Sequence, residues 1–143
     1  MMVTKFNGET GECQGSFSCQ EGEVQSMPSV YPEVFIAGAF DASTFWLVDG
    51  QPARRPRLVM RSKTVLVADD LDLCRMTGIP PGTVFNVCNL AVPRTDPSRD
   101  VVTATIDDGV FEWSTALPGR YQFTLLPPFP WQALQFEVNA YAV

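Results

Sequence analysis

A strict alternation of apolar and polar residues near the C-terminus most limits what this chain can fold into. In residues 120–125, Tyr121, Phe123 and Leu125 alternate with Arg120, Gln122 and Thr124. In residues 134–143, Leu134, Phe136, Val138, Ala140 and Ala142 share one face, opposite Gln135, Glu137 and Asn139. A period of two sets one face of a strand against a core and the other in solvent. Between the two runs, Leu126-Pro-Pro-Phe-Pro-Trp131 can be neither helix nor central strand, because proline offers no backbone donor. It reads as a rigid connection.

The same pattern extends upstream. Residues 101–106 and 110–114 flank Asp107-Asp108-Gly109, a pair of runs that Asp-Gly turn chemistry predicts to be an antiparallel hairpin. Residues 83–92 form a further strand after Pro80-Pro81-Gly82, and 64–68 and 71–76 are shorter candidates. Residues 93–100, with two prolines and mixed charges, read as a loop. No stretch keeps a helical period over three turns. Residues 57–143 are therefore expected to fold as an antiparallel, immunoglobulin-like β-sandwich of six or seven strands. Tyr121, just after Pro118-Gly119, stands where a tyrosine ties a corner to the backbone in such sandwiches.

The first 56 residues read differently. Residues 1–29 are rich in Gly, Glu, Gln and Ser and hold too few apolar side chains for a core of their own. They are expected to be an extended arm that is disordered or ordered by a partner. Residues 34–40 and 44–48 are apolar and β-like, followed by an Asp49-Gly50 turn, and Gln51-Pro-Ala-Arg-Arg-Pro56 reads as a boundary. The expected organisation is an arm and small β-hairpin module with linker over 1–56, then the sandwich over 57–143. A chain of 143 residues buries about two-thirds of its unfolded surface, so neither disulfide nor metal is needed.

The residues that are missing narrow the chemistry. Histidine is absent, which removes histidine-activated nucleophiles, histidine general bases and imidazole metal ligands. Only Lys5 and Lys63 could serve amine chemistry, and no phosphate-binding loop or dinucleotide fingerprint occurs. Cys13, Cys19, Cys74 and Cys88 lack zinc-ligand spacing and read as reduced thiols, with Cys74 and Cys88 as small core residues. No enzyme activity, cofactor or metal is expected.

The net charge of −6 disfavours nucleic acid. Basic residues nevertheless cluster at Arg54, Arg55, Arg57, Arg61 and Lys63, against an acidic leader carrying Glu9, Glu12, Glu21, Glu23 and Glu33. The two groups are either solvated surface or mutually attracting contact regions. The longest uncharged apolar stretch is short and broken by prolines, so membrane insertion is not expected, and no targeting signal opens the chain.

Two further constellations are open to more than one reading. Asp69, Asp70 and Asp72, with Asp107 and Asp108, either cap turns or approach a cation or a glycosidic bond. The aromatics either pack a core, meet a protein partner or, behind that, stack on sugars. Phe129 and Trp131, fixed between prolines, are the best candidates for a partner or ligand surface.

Several short motifs together resemble small accessory virion proteins of tailed bacteriophages, encoded among tail, baseplate or fibre genes. The opening Phe6-Asn-Gly-Glu-Thr-Gly-Glu12 looks like their leader, and Val48-Asp-Gly-Gln-Pro-Ala-Arg-Arg-Pro56 is similar to the connector that follows. Thr77-Gly-Ile-Pro-Pro-Gly-Thr83, Asp107-Asp-Gly-Val-Phe111, Pro118-Gly-Arg-Tyr121 and Phe129-Pro-Trp131 look like their immunoglobulin-like domain. The resemblance implies a structural virion protein of the tail tip, baseplate or fibre region, made in the host cytoplasm and present in several copies of a symmetric assembly. Its arm would dock on other virion proteins. The partner-contact candidates are Lys5, Phe6, Arg54, Arg55, Arg57, Phe129 and Trp131. Two alternatives are a module that binds a host surface glycan through Trp131 or Trp46, and a head-decoration protein.

Overall fold

The structure is a computed structural model and describes residues 1–20, 33–58 and 63–143. The fold is all-β, and among the described residues the single helical element is a 3₁₀ turn, Pro97–Arg99. The chain divides into two compact units, Met1–Pro56 and Arg57–Val143.

In the first unit, β1 (Met2–Asn7), β2 (Cys13–Ser18) and β3 (Glu33–Ala37) form an antiparallel sheet in the order β2-β1-β3. β4 (Phe45–Val48) and β5 (Gln51–Arg54) form a hairpin. Two expectations are corrected. The described part of the leader, residues 1–20, is a folded hairpin and not an extended arm, while residues 21–29 of the expected arm lie outside the described residues. Gln51–Arg54 is a strand and not a linker.

A few apolar residues suffice for the leader because β3 and Phe40 supply the rest of its packing. Val3 and Phe6 are fully buried, and Phe6, Phe40 and Phe45 form a chain of ring contacts with centroids 6.1 and 5.2 Å apart. Thr4 is also fully buried. Its hydroxyl donates to the Gly38 carbonyl (2.7 Å), accepts the Phe40 N–H (3.0 Å) and meets the Ser16 hydroxyl at 2.7 Å. A buried hydroxyl satisfied in this way costs little and fixes three segments at once. The β1–β2 turn is built locally: Asn7 Oδ1 accepts the N–H groups of Glu9 (2.9 Å) and Thr10 (3.2 Å). In the β4–β5 hairpin, Asp49 (φ 51°) and Gly50 (φ 76°) both take positive φ, the pattern of a type I′ turn.

Among the described residues, the second unit holds seven strands: β6 (Val65–Val67), β7 (Cys74–Met76), β8 (Thr83–Asn89), β9 (Asp100–Ile106), β10 (Phe111–Trp113), β11 (Gly119–Leu126) and β12 (Leu134–Tyr141). Five form a sheet in the order β6-β12-β11-β8-β9, and β10 pairs with β7 in a second sheet. All pairings are antiparallel except that of β6 with β12. The runs on either side of Asp107-Asp108-Gly109 therefore do not pair with each other, which corrects the expected hairpin. β9 ends on β8, and the turn carries the chain to the other sheet, held where Ile79 N–H donates to the Gly109 carbonyl (3.1 Å).

Aromatic packing accounts for that crossing. Phe123, fully buried on β11, lies 5.6 Å from the Phe111 ring, 5.0 Å from Trp113 and 5.1 Å from Phe136. Phe111 also meets Phe85 of β8 at 4.6 Å, and Trp113 meets Tyr121 at 4.7 Å. Phe111 and Trp113 are on one face of β10, separated by Glu112, so placing β10 opposite the larger sheet buries both rings. Tyr121 is 1% exposed, and its hydroxyl donates to the Leu117 carbonyl at 2.7 Å, tying the bend before β11 to the core.

Two stability measurements test this account. Tyr121→Phe removes the bond that ties the bend to the core and leaves the exposed Leu117 carbonyl only its longer contact with Thr115 Oγ1 (3.4 Å), and we expect a loss of roughly 0.5–1.5 kcal/mol in urea unfolding with an unchanged m-value. Gly11 has φ +81°, and an added Cβ would sit 2.5 Å from the Leu47 carbonyl oxygen and 2.9 Å from the Trp46 ring. Gly11→Ala should destabilise the first unit by about 1–3 kcal/mol, read as a lowered midpoint in urea followed by Trp fluorescence.

Candidate functional site

The seven partner-contact candidates are split between the units. Phe6 is fully buried in the first unit, which corrects its place among surface residues: its ring supplies the apolar side of β1 and has no face left for a partner. Lys5 lies on β1 and pairs with Glu33 of β3 at 2.8 Å, across a ladder in which Lys5 faces Phe35. The Arg54 guanidinium stands 5.4 Å from the centre of the Phe45 ring, a cation–π distance. Arg55 donates from Nη1 to the Ala42 carbonyl at 2.9 Å. These cations are exposed or half-buried and already organised by their own unit. Arg61 of the basic cluster lies outside the described residues.

The second unit brings two of its candidates together. Arg57 and Trp131 border one small hollow of about 120 Å³, whose apolar floor is Leu58, Met76 and Ile79. Trp131 leans on the hydrophobic core and is half-buried, and its backbone N–H donates to the Pro128 carbonyl at 3.1 Å. Its ring is thus core packing with one edge on a hollow, not the flat, fully exposed platform that sugar stacking uses. Phe129 stays 37% exposed, and the Phe129–Pro130 peptide is cis.

The carboxylate clusters act as turn caps. Asp69 Oδ1 accepts the N–H groups of Leu71 and Asp72, each at 2.9 Å. Asp72 accepts the Val67 N–H at 2.8 Å and an ion pair from Lys63. Asp70, at φ 61°, accepts the Ser114 hydroxyl at 3.0 Å, and Asp108 accepts the Val110 N–H at 3.1 Å. Asp41 and Asp96 hold Ser43 and Ser98 in the same manner. Backbone N–H donors, aided at Asp72 first of all by the Lys63 ammonium, hold Asp41, Asp69, Asp72 and Asp96 below the ordinary carboxylate range. A general acid needs the opposite shift.

Sequence reading passed over a second hollow, of about 370 Å³, beside the 93–100 loop. Arg94, Arg99, Asp96, Asp100 and Cys88 border it. Arg99 donates from Nη1 to the Val92 carbonyl at 2.8 Å. Cys88 Sγ donates to Asn86 Oδ1 at 2.8 Å and approaches Asp100 at 3.3 Å. Burial first, then the hydrogen bond and charge of Asp100, push the Cys88 thiol up, so it is a protonated donor and not a nucleophilic thiolate. The only signal in the sequence was the opposite-charge pair Arg99-Asp100 at the loop's end. Cys74 is fully buried on β7, as its small apolar character predicts, and all four cysteines are free. No helix among the described residues is long and apolar enough to cross a membrane.

No family model and no curated protein matches this sequence. Among solved structures, the chain is similar to part of a glycosyl hydrolase family 2 member from Bacteroides cellulosilyticus DSM 14838. The identity is 13% and the TM-score 0.33. The likeness covers 96% of this chain and 23% of that one. At that TM-score it carries no argument about fold or activity.

The caps give a signed pH dependence. Their folded pKa values lie below the ordinary 3.8, so the stability they add is complete above that value and is lost as pH falls through the folded values. Melting temperature should begin to fall as pH drops below 3.8, by a modest amount because the caps are exposed. The combined Asp41→Asn, Asp69→Asn and Asp96→Asn variant keeps the accepting oxygen and should show a visibly shallower acid limb.

Proposed function

We propose that this chain is a non-enzymatic structural protein of a tailed-bacteriophage particle, a component of the tail tip, baseplate or fibre region. Its first unit would dock on other virion proteins, and its second unit would be an immunoglobulin-like module. The observation that carries this reading is where the family-like motifs fall. Asn7-Gly-Glu-Thr-Gly11 is the turn on which the first sheet closes, and Asp49-Gly50 turns its hairpin. Asp107-Asp-Gly109 crosses between sheets, and Pro118-Gly-Arg-Tyr121 carries the tyrosine tie. The motifs are thus the joints of two β units, the use a structural protein makes of short turn-rich sequence.

The immunoglobulin-like reading is supported by strand order. A first strand parallel to the last, a five-stranded sheet facing a smaller one, and a tyrosine bonded back to its corner are the features that pattern expects. A non-catalytic role is favoured by how Asp69, Asp72 and Cys88 are engaged: both carboxylates are taken up in capping backbone N–H groups and held ionised, not as the protonated general acid that bond cleavage needs, and the Cys88 thiol is held protonated, not as a nucleophilic thiolate. For docking, Arg54 and Arg55 are better placed than Phe6, because they present charge from a rigid hairpin to an acidic partner.

Quantitative mass spectrometry of purified particles, scaled to the major capsid protein, tests the proposal. A low, fixed copy number is expected. A copy number that tracks the capsid protein would move the chain to the head surface as a decoration protein, and absence from the particle would overturn the virion role.

A further inference from the structure

Of the four asparagines, Asn7, Asn86, Asn89 and Asn139, only Asn7 is followed by glycine. It ends β1 and opens the turn Gly8-Glu9-Thr10, and both Asn7 and Gly8 keep part of their surface in solvent. An asparagine reacts with its own backbone when the nitrogen of the next residue adds to the side-chain amide carbon. A glycine in that place has no Cβ to hinder the approach. Val87, Leu90 and Ala140 follow the other three.

The turn also arranges the amide itself. Asn7 Oδ1 accepts the N–H groups of Glu9 at 2.9 Å and Thr10 at 3.2 Å. Negative charge collects on that oxygen when the Gly8 nitrogen adds to Cγ, so the two donors stand where an oxyanion is stabilised. The leaving nitrogen, Nδ2, makes no hydrogen bond to a described residue. Asn86 is the reverse case, with Nδ2 held by Thr103 Oγ1 at 2.8 Å and Asp100 Oδ1 at 3.1 Å.

We propose that Asn7 is a site of spontaneous covalent modification in the folded chain, where ring closure onto Gly8 and hydrolysis convert it to aspartate and isoaspartate. Hydroxide takes the Gly8 N–H proton, the nitrogen bonds to Cγ, the Cγ–Nδ2 bond breaks and ammonia departs. The product is a five-membered succinimide. Water then opens the ring. Addition at Cγ restores the ordinary backbone with an aspartate side chain, and addition at the main-chain carbonyl carbon leaves the backbone running through Cβ and Cγ.

Either product adds negative charge to a turn that already carries Glu9 and Glu12, and sets it across the ladder from Glu33, the register partner of Asn7. Isoaspartate also lengthens the main chain where Asn7 N–H donates to the Glu12 carbonyl (2.8 Å) and the Asn7 carbonyl accepts the Gly11 N–H (2.7 Å). Those bonds place the Gly11 carbonyl for the Leu47 N–H (2.9 Å), so conversion loosens the seam between the first sheet and its hairpin. The inference is independent of the virion role, which copy number alone judges.

Peptide mapping by mass spectrometry tests it, on full chain aged in warm, mildly alkaline buffer and, in parallel, in guanidinium chloride. The peptide holding Asn7 should show the mass gain of amide-to-acid exchange well before those holding Asn86, Asn89 or Asn139. It should separate into two species, one of them a substrate of isoaspartyl methyltransferase, and form in buffer no more slowly than in denaturant. Gly8 is not held at positive φ, so Gly8→Ala fits the backbone and should slow the conversion by roughly tenfold or more. Circular dichroism confirms that the variant is folded; if it is not, the aged wild type decides alone. An Asn7 that survives in buffer while converting in denaturant, or that converts no faster than the other three, overturns the proposal. A Gly8→Ala chain that ages at the wild-type rate overturns ring closure onto Gly8. A rate in buffer below that in denaturant overturns the part given to the two N–H donors.

Discussion

The contact of the Phe123 ring with both sheets of the second unit is the interaction on which that unit depends. Burying a phenylalanine contributes about 1.5–3 kcal/mol, and Phe123 meets Phe111 and Trp113 edge-on and Phe136 at a tilt. Two of those rings belong to β10, a strand of three residues that has little else to hold it. A strand so short gains little from its ladder alone, so its place opposite β11 follows from where its aromatic face can be buried. Tyr121, two residues before Phe123, extends the same face and adds the polar tie to Leu117. The adjoining loops, including the one that brings Trp131 over Leu58, Met76 and Ile79, rest on that arrangement.

The first unit solves a similar problem with fewer apolar residues. Its sheet and its hairpin meet where Leu47 N–H donates to the Gly11 carbonyl at 2.9 Å and Trp46 packs over Gly11. A side chain at position 11 would occupy the space that contact uses. The fully satisfied Thr4 hydroxyl does for β1, β2 and the 38–40 segment what the aromatic cluster does in the second unit. Polar residues thus contribute structure here that composition does not announce.

The chemistry of the molecule is conservative in the same sense. Of the carboxylates that might have formed a cation or catalytic cluster, Asp69, Asp70, Asp72 and Asp108 each accept N–H or hydroxyl groups that hold a turn in place. The exposed strand β9 is different, because its backbone groups on one side have no ladder partner among the described residues.

The strands of residues 119–126 and 134–141 were legible in the sequence, because alternation with period two is a local property and each residue's face follows from its neighbours. The Asp49-Gly50 turn and the tyrosine tie were legible for the same reason, since both are set within a few residues. The pairing of β10 was not: Asp-Gly predicts a tight turn, but only the burial of Phe111 and Trp113 against a strand ten residues further on decides that the turn crosses between sheets. Nor was the folding of the leader, whose core is completed by Phe40 and Phe45 far along the chain. Phe6 was misplaced on the surface for that reason, and Arg57 and Trp131 were named separately although the fold sets them around one hollow. The sequence by itself determined the alternating strands β11 and β12 and the tight turns, because those preferences act over a few bonds, whereas β1, β2 and β5 are strands only through the partners they pair with. Which strands pair, which aromatics are buried and which edge is left open were decided by the tertiary structure, because they depend on contacts between residues distant in the chain.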